Sequence, residues 1–93
     1  MSDAWSMYVL ECADGSFYCG VTNNITRRVY QHNQKKGAKY TRSRTPVEII
    51  HFENHKNRSK AQIAEAAFKK LTRKKKEEYI GYETTRDWRS RKI

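Results

Sequence analysis

Ninety-three residues with 20 Lys or Arg against 10 Asp or Glu carry a formal charge of +10, while 37% are hydrophobic and 12% aromatic. That length allows one domain with a modest core, and that apolar content excludes a disordered chain. The charge predicts a polyanionic partner rather than a solubility surface, which acidic side chains would serve as well; no apolar run approaches the roughly 18 residues of a membrane helix.

The opening Met1-Ser2-Asp3-Ala4-Trp5 has neither the basic start nor the apolar stretch of a secretory signal, so a cytoplasmic protein is expected. Trp5 to Cys12 reads as a strand, Asp14-Gly15 as a hairpin turn, and Phe17 to Val21 as the partner strand. Folding there sets Tyr8 near Tyr18. Cys12 and Cys19 form no Cys-x-x-Cys pair, and no His/Cys cluster has zinc-finger spacing, so both are expected as reduced thiols packed in or near the sheet.

Asn23 or Asn24 is the expected N-cap of a helix from Ile25 to about Lys35, closed by Gly37 as a left-handed cap. Arg28 and His32 stand four residues apart and share a face of it. A basic loop, Lys39 to Thr45, follows. Pro46 suits the start of a strand running from Val47 to Glu53, since it donates no ladder hydrogen bond. Asn57 or Ser59 caps a second helix with Ile63, Ala64, Ala67, Phe68 and Leu71 as its apolar stripe. Thr72 caps a shorter third helix carrying Tyr79 and Ile80. The expected product is an α+β domain over residues 1–82: a small three-stranded, mostly antiparallel sheet flanked by about three helices. Residues 83–93 read as a polar, basic tail.

The candidate chemistry lies where the hairpin meets the first helix. The phenols of Tyr8 and Tyr18, the Arg28 guanidinium and the His32 imidazole converge there on a spot suited to phosphate. Arg28 offers a planar fork for two phosphate oxygens. His32 can relay a proton or bind phosphate. A tyrosine titrates near about 10, so either phenol needs assistance to act as a base at neutral pH. Glu65 is the only acidic residue between Glu53 and Glu77, amid lysines and arginines, about 60° around the helix from Phe68. It can hold a hard divalent cation, Mg²⁺ or Mn²⁺; an ordinary surface salt bridge to Lys69, Lys60 or Lys70 is the other reading. Lys35, Lys36, Lys39, Tyr40, Arg42 and Arg44 form a basic run with an embedded aromatic, suited to nucleic-acid backbone tracking with base stacking. Arg73-Lys74-Lys75-Lys76 precedes Glu77 and Glu78 at helical spacing and reads largely as helix pairing. Asn33 is expected to order the loop after the first helix or touch a substrate backbone. His51 and His55 receive no catalytic role.

These residues resemble a known pattern. Met7-Tyr8-Val9 stands where the GIY-YIG nucleases have Gly-Ile-Tyr, Tyr18-Cys19-Gly20 where they have Tyr-Ile-Gly, and Asn24, Arg28 and His32 match the run of the following helix. The Gly37–Arg42 segment and the helix with Arg58 and Glu65 resemble the short stand-alone bacterial branch, and a similar pattern occurs in the Slx1 structure-specific nucleases. Cys19 departs from the pattern, as do the first motif's missing glycine and isoleucine, all at apolar supporting positions.

The resemblance implies a metal-dependent DNA endonuclease acting on branched, nicked or distorted duplex in repair or processing, with RNA as a second candidate substrate. It implies a 5′-phosphate and 3′-hydroxyl product and a site of Tyr8, Tyr18, Arg28, His32 and Glu65, with Glu65 as the metal ligand. One carboxylate argues for a single metal rather than a two-metal clamp. The alternative is a non-catalytic basic nucleic-acid-binding module on the same fold.

Overall fold

The structure is a computed structural model and describes residues 4–82; the expected basic tail at 83–93 lies outside them. Strands β1 (Trp5–Glu11), β2 (Phe17–Thr22) and β3 (Glu48–His55) form one sheet in the order β2-β1-β3. Both pairings are antiparallel. Four helices accompany it: α1 (Ile25–Asn33), α2 (Lys39–Arg42), α3 (Arg58–Lys69) and α4 (Arg73–Ile80).

The hairpin forms because Asp14 and Gly15 supply its turn. Gly15 has φ 86°, a conformation that costs glycine little, and the Asp14 carboxylate accepts hydrogen bonds from the Ser16 amide and hydroxyl. The resulting register sets Tyr8 opposite Gly20 and Leu10 opposite Tyr18. Residues two apart share a strand face, so both tyrosines point to the same side.

Strand alternation splits the core between the two faces. Met7, Val9 and Cys19 meet Phe68, Ala64 and Leu71 on one side, where α3 and α4 lie. Tyr8, Leu10 and Cys12 meet Val47, Ile25 and Val29 on the other, the side of α1. Cys12 and Cys19 are buried free thiols, as expected. A register shift between Val9 and Leu10 where β1 meets β3 puts one extra residue into β3.

Helix caps follow the sequence. Asn24, Asn57 and Thr72 accept from the backbone amides of Arg27, Lys60 and Lys75. The end of α1 differs from expectation. The helix stops at Asn33, and Lys35 rather than Gly37 takes the left-handed conformation, at φ 64°. The Lys36 amide bonds the Gln31 carbonyl and the Lys35 amide the His32 carbonyl, a Schellman closure without glycine. Asn33 accounts for the early stop: its side chain accepts from the Val47 amide at 2.7 Å and donates to the Val47 carbonyl at 3.1 Å. The expected loop-ordering role of Asn33 is thus met by anchoring the entry to β3.

Two further expectations change. The basic loop contains a single helical turn, α2, which buries Thr41. The apolar stripe of α3 is rotated: Ala61 and Phe68 are buried, while Ile63 is 66% exposed and Ala67 is exposed. The small Ala61 allows close approach to the sheet, and the rotation brings Glu65 inward to half-buried.

Candidate active site

Tyr8 sits at the centre of a buried cluster. Its relative exposure is 1% and that of His32 is 0%, and the Tyr8 hydroxyl lies 2.9 Å from His32 Nε2. The Arg28 guanidinium lies near enough for its charge to act on the Tyr8 phenol. Gly20 makes this possible, because a Cβ there would stand 2.7 Å from the Tyr8 oxygen. Arg28 and His32 reach Tyr8 together because they occupy one face of α1, one turn apart. Gln31 steadies Arg28, accepting from Nη1 at 3.2 Å; Arg27, on the outer face, is exposed.

Tyr18 continues the cluster towards solvent. Its ring lies 5.3 Å from the His32 ring and 6.4 Å from that of Tyr8, and it stacks with Tyr40 at 6.1 Å. It is half-buried, and among the described residues no hydrogen bond holds its hydroxyl. A cleft of about 270 Å³ follows the open edge of β2 from Tyr18 past Cys19 to Phe68, Lys69 and Lys76. A second cleft lies near the other end of β2, lined by Thr22, Asn24, Arg28 and Arg58. The edge strand therefore lets groups from both faces of the sheet meet. Glu65 approaches from the α3 side, near enough for its charge to act on Tyr18 and Cys19.

Burial dominates the electrostatics. It pushes the Tyr8 phenol up to about 12 despite the opposing pull of the nearby Arg28 guanidinium. Burial also raises Tyr18, with Lys69 and Arg28 pulling down and Glu65 pushing up. It pulls His32 down to about 4, assisted by the Arg28 charge. Phenols and imidazole are therefore neutral at pH 7, beside a fixed guanidinium charge. The site can grip an anion and pass a proton, but an unaided phenolate is not available.

Glu65 pairs with Lys69 at 2.9 Å, and its side chain is 21% exposed. Burial lowers the Lys69 pKa less than the Glu65 hydrogen bond and charge raise it, so the ammonium is favoured overall. No group of three or more His, Cys, Asp or Glu suited to a metal occurs among the described residues. A lone half-buried carboxylate fits Mg²⁺ or Mn²⁺, which keep most positions for water and phosphate oxygens, and does not fit a His/Cys-rich zinc or copper cage.

The basic run divides by partner. Lys35, Lys36, Lys39 and Arg42 are exposed. Arg44 is engaged inside the protein: it bonds Asp14 at 3.0 Å and the Tyr40 carbonyl at 2.7 Å, with its guanidinium 3.9 Å from the Tyr40 ring centroid. Tyr40 thus lies between Arg44 and Tyr18. Arg73 and Lys75 pair with Glu77 and Glu78, as the helical spacing implies. His51 and His55 both bond Glu53, which also accepts from Tyr79. This cluster includes none of the residues around Tyr8.

Sequence reasoning assigned no role to Gly20, Gln31 or Thr41. Gly20 was accessible from the hairpin register, which sets it opposite Tyr8. Thr41 lies in the family-like Gly37–Arg42 segment, but nothing there or at Gln31 signalled a role, since each acts only through a tertiary neighbour.

Three comparisons bear on this geometry. A family model described as the GIY-YIG catalytic domain matches residues 4–79. The chain is similar to a UPF0213 protein of Bacillus cereus, 53% identical over 73 residues covering 78% of this chain and 76% of that one. A UPF0213 protein of Enterococcus faecalis is 59% identical over 75 residues, covering 78% and 85%. Among solved structures, the solution NMR structure of a UPF0213 protein from Bacillus halodurans shares 38% identity at TM-score 0.56, covering 86% of this chain and 85% of that one. A second, of an E. faecalis protein, shares 48% identity at TM-score 0.59, covering 94% and 95%.

Proposed function

The chain belongs to the GIY-YIG catalytic-domain family, in its short UPF0213 branch, and from that premise we propose that it is a divalent-metal-dependent DNA endonuclease. Family membership implies the nuclease superfamily and a nucleic-acid substrate in general. The observation that carries the finer reading is the convergence of Tyr8, Arg28 and His32 beside Tyr18 on an open sheet edge, with the Glu65 charge within reach of Tyr18.

Arg28 binds two oxygens of the scissile phosphate and offsets the charge that develops on them. Tyr18 meets the attacking water from the cleft, and Tyr8 with His32 supports it as proton acceptor and anchor. Glu65 would hold one Mg²⁺ or Mn²⁺, which supplies Lewis-acid charge at the phosphate when bound. Lys35, Lys36, Lys39 and Arg42 track the backbone, with Tyr40 beside them. The substrate is branched, nicked or distorted duplex, with repair or processing as the setting. RNA is the second candidate, and the product carries a 5′-phosphate.

One observation favours a second reading, a non-catalytic binding module: the Glu65 carboxylate already has a cation, Lys69. Labelled nicked, flapped and forked DNA incubated with Mg²⁺, Mn²⁺ or EDTA separates the two. Cutting is expected with metal and not with EDTA, and Glu65→Ala should lose at least about a hundredfold in rate with DNA affinity kept. Binding without cutting under every condition selects the module. Undiminished cutting by Glu65→Ala would refute the metal ligand.

A further inference from the structure

We propose that Thr41 is a positioning residue that sets the tautomer of His32, leaving Nε2 bare to take the Tyr8 proton. The inference rests on the nuclease reading for its consequence, but its geometry stands alone. Thr41 and His32 are both fully buried, and the Thr41 hydroxyl lies 2.8 Å from His32 Nδ1. The same hydroxyl donates to the Ala38 carbonyl at 3.0 Å. A threonine hydroxyl has one proton, so a group that has given it to Ala38 can only accept from Nδ1.

The other end of the chain demands the same assignment. The Tyr8 hydroxyl is hydrogen-bonded to His32 Nε2, and Tyr8 is itself buried at 1% exposure. Were Nε2 protonated, it would donate to the Tyr8 oxygen, and the buried Tyr8 proton would be left without an acceptor among the described residues. The consistent arrangement runs from the Tyr8 O–H to Nε2, from Nδ1–H to Thr41 Oγ1, and from the Thr41 O–H to the Ala38 carbonyl.

The segment around Thr41 is shaped for this task. A Cβ at Gly37 would collide with the His32 ring, so glycine there lets the segment close over the imidazole. One turn of helix, α2, then returns Thr41 to Nδ1. In the reaction, a proton from water arriving at the Tyr8 oxygen displaces the Tyr8 proton onto Nε2. The imidazolium so formed keeps Nδ1–H on Thr41, while the water oxygen bonds phosphorus, the P–O3′ bond breaks and the leaving 3′ oxygen takes a proton from solvent. With the opposite tautomer Nε2 would already be filled, and the route would close.

Long-range ¹H–¹⁵N NMR of histidine-labelled protein reads the tautomer directly. His32 in the wild type should show a protonated Nδ1 and a bare Nε2 at pH 7. Thr41→Val keeps the volume and removes the acceptor; it should shift His32 towards the Nε2–H form and slow cutting about tenfold or more with DNA affinity unchanged. Thr41→Ser should restore both. A wild-type Nε2–H signal overturns the proposal even if Thr41→Val fails to fold. So does a folded Thr41→Val with the wild-type tautomer, or a folded Thr41→Ser that behaves like valine. Because the NMR needs no turnover, the tautomer stands or falls separately from nuclease activity.

Discussion

His32 is completely buried, and burying an imidazole whose ordinary pKa lies near physiological pH has a measurable cost. Unfolded, the imidazole takes up a proton near 6.5; folded, only at about 4. Between those values the unfolded chain binds more protons, so stability should fall as pH drops from 6.5 to 4 and stop falling on this account below 4. The loss is on the order of 3 kcal/mol. Urea unfolding at pH 7, 5 and 4 checks it, and His32→Gln should flatten the slope in that window. Glu53 contributes lower down. Burial raises its pKa, but hydrogen bonds from His51, Tyr79 and His55 outweigh this, so it titrates below 4.5 and its share of stability is lost as pH falls through that lower value. An unchanged slope in His32→Gln would mean that the imidazole is not held neutral in the fold.

Among the elements, α3 joins packing to function through its rotation. Its buried face runs through Ala61 and Phe68, and the same rotation turns Ile63 out and leaves Glu65 half-buried. Phe68 meets Met7, Val9 and Cys19, so Phe68→Ala should cost about 3–5 kcal/mol. Ile63→Ser should lie within about 0.5 kcal/mol of wild type. Thermal or denaturant unfolding of the pair reads the rotation directly; equal losses would restore the stripe expected from spacing. The spacing could not decide it because Ala61 satisfies helical periodicity with Ala64, Phe68 and Leu71 as well as Ile63 and Ala67 do. Shape chose: a methyl on the sheet lets the helix come close, and a branched Ile63 would hold it off. The end of α1 was likewise decided by the Asn33 side chain, which pins Val47 across the chain, rather than by the nearest glycine.

At the scale of the whole molecule, a central sheet between two helical layers carries a charge of +10. Affinity for DNA should fall steeply with salt, the slope counting the phosphates neutralised. Arg42→Ala, at an exposed position, should lower that slope by about one. Arg44→Ala should change the slope less and stability more, because Arg44 is bound to Asp14 and Tyr40. Fluorescence anisotropy at stepped salt distinguishes them. Equal slope changes would place Arg44 on the nucleic acid after all.

Local chemistry alone determined the hairpin, the Thr72 cap and the pair of candidates for each other N-cap, the α+β class and the shared face of Arg28 and His32. Each depends on residues at most a few positions apart, whose turn, capping and periodicity preferences act before any long-range contact forms. Only the tertiary structure decided the rotation of α3, the single turn of α2, the closure of Thr41 and Gly37 over His32, and the engagement of Arg44. Those depend on which side chains meet across the sheet or between distant segments, and packing and buried hydrogen bonds settle such choices only once the whole chain is assembled.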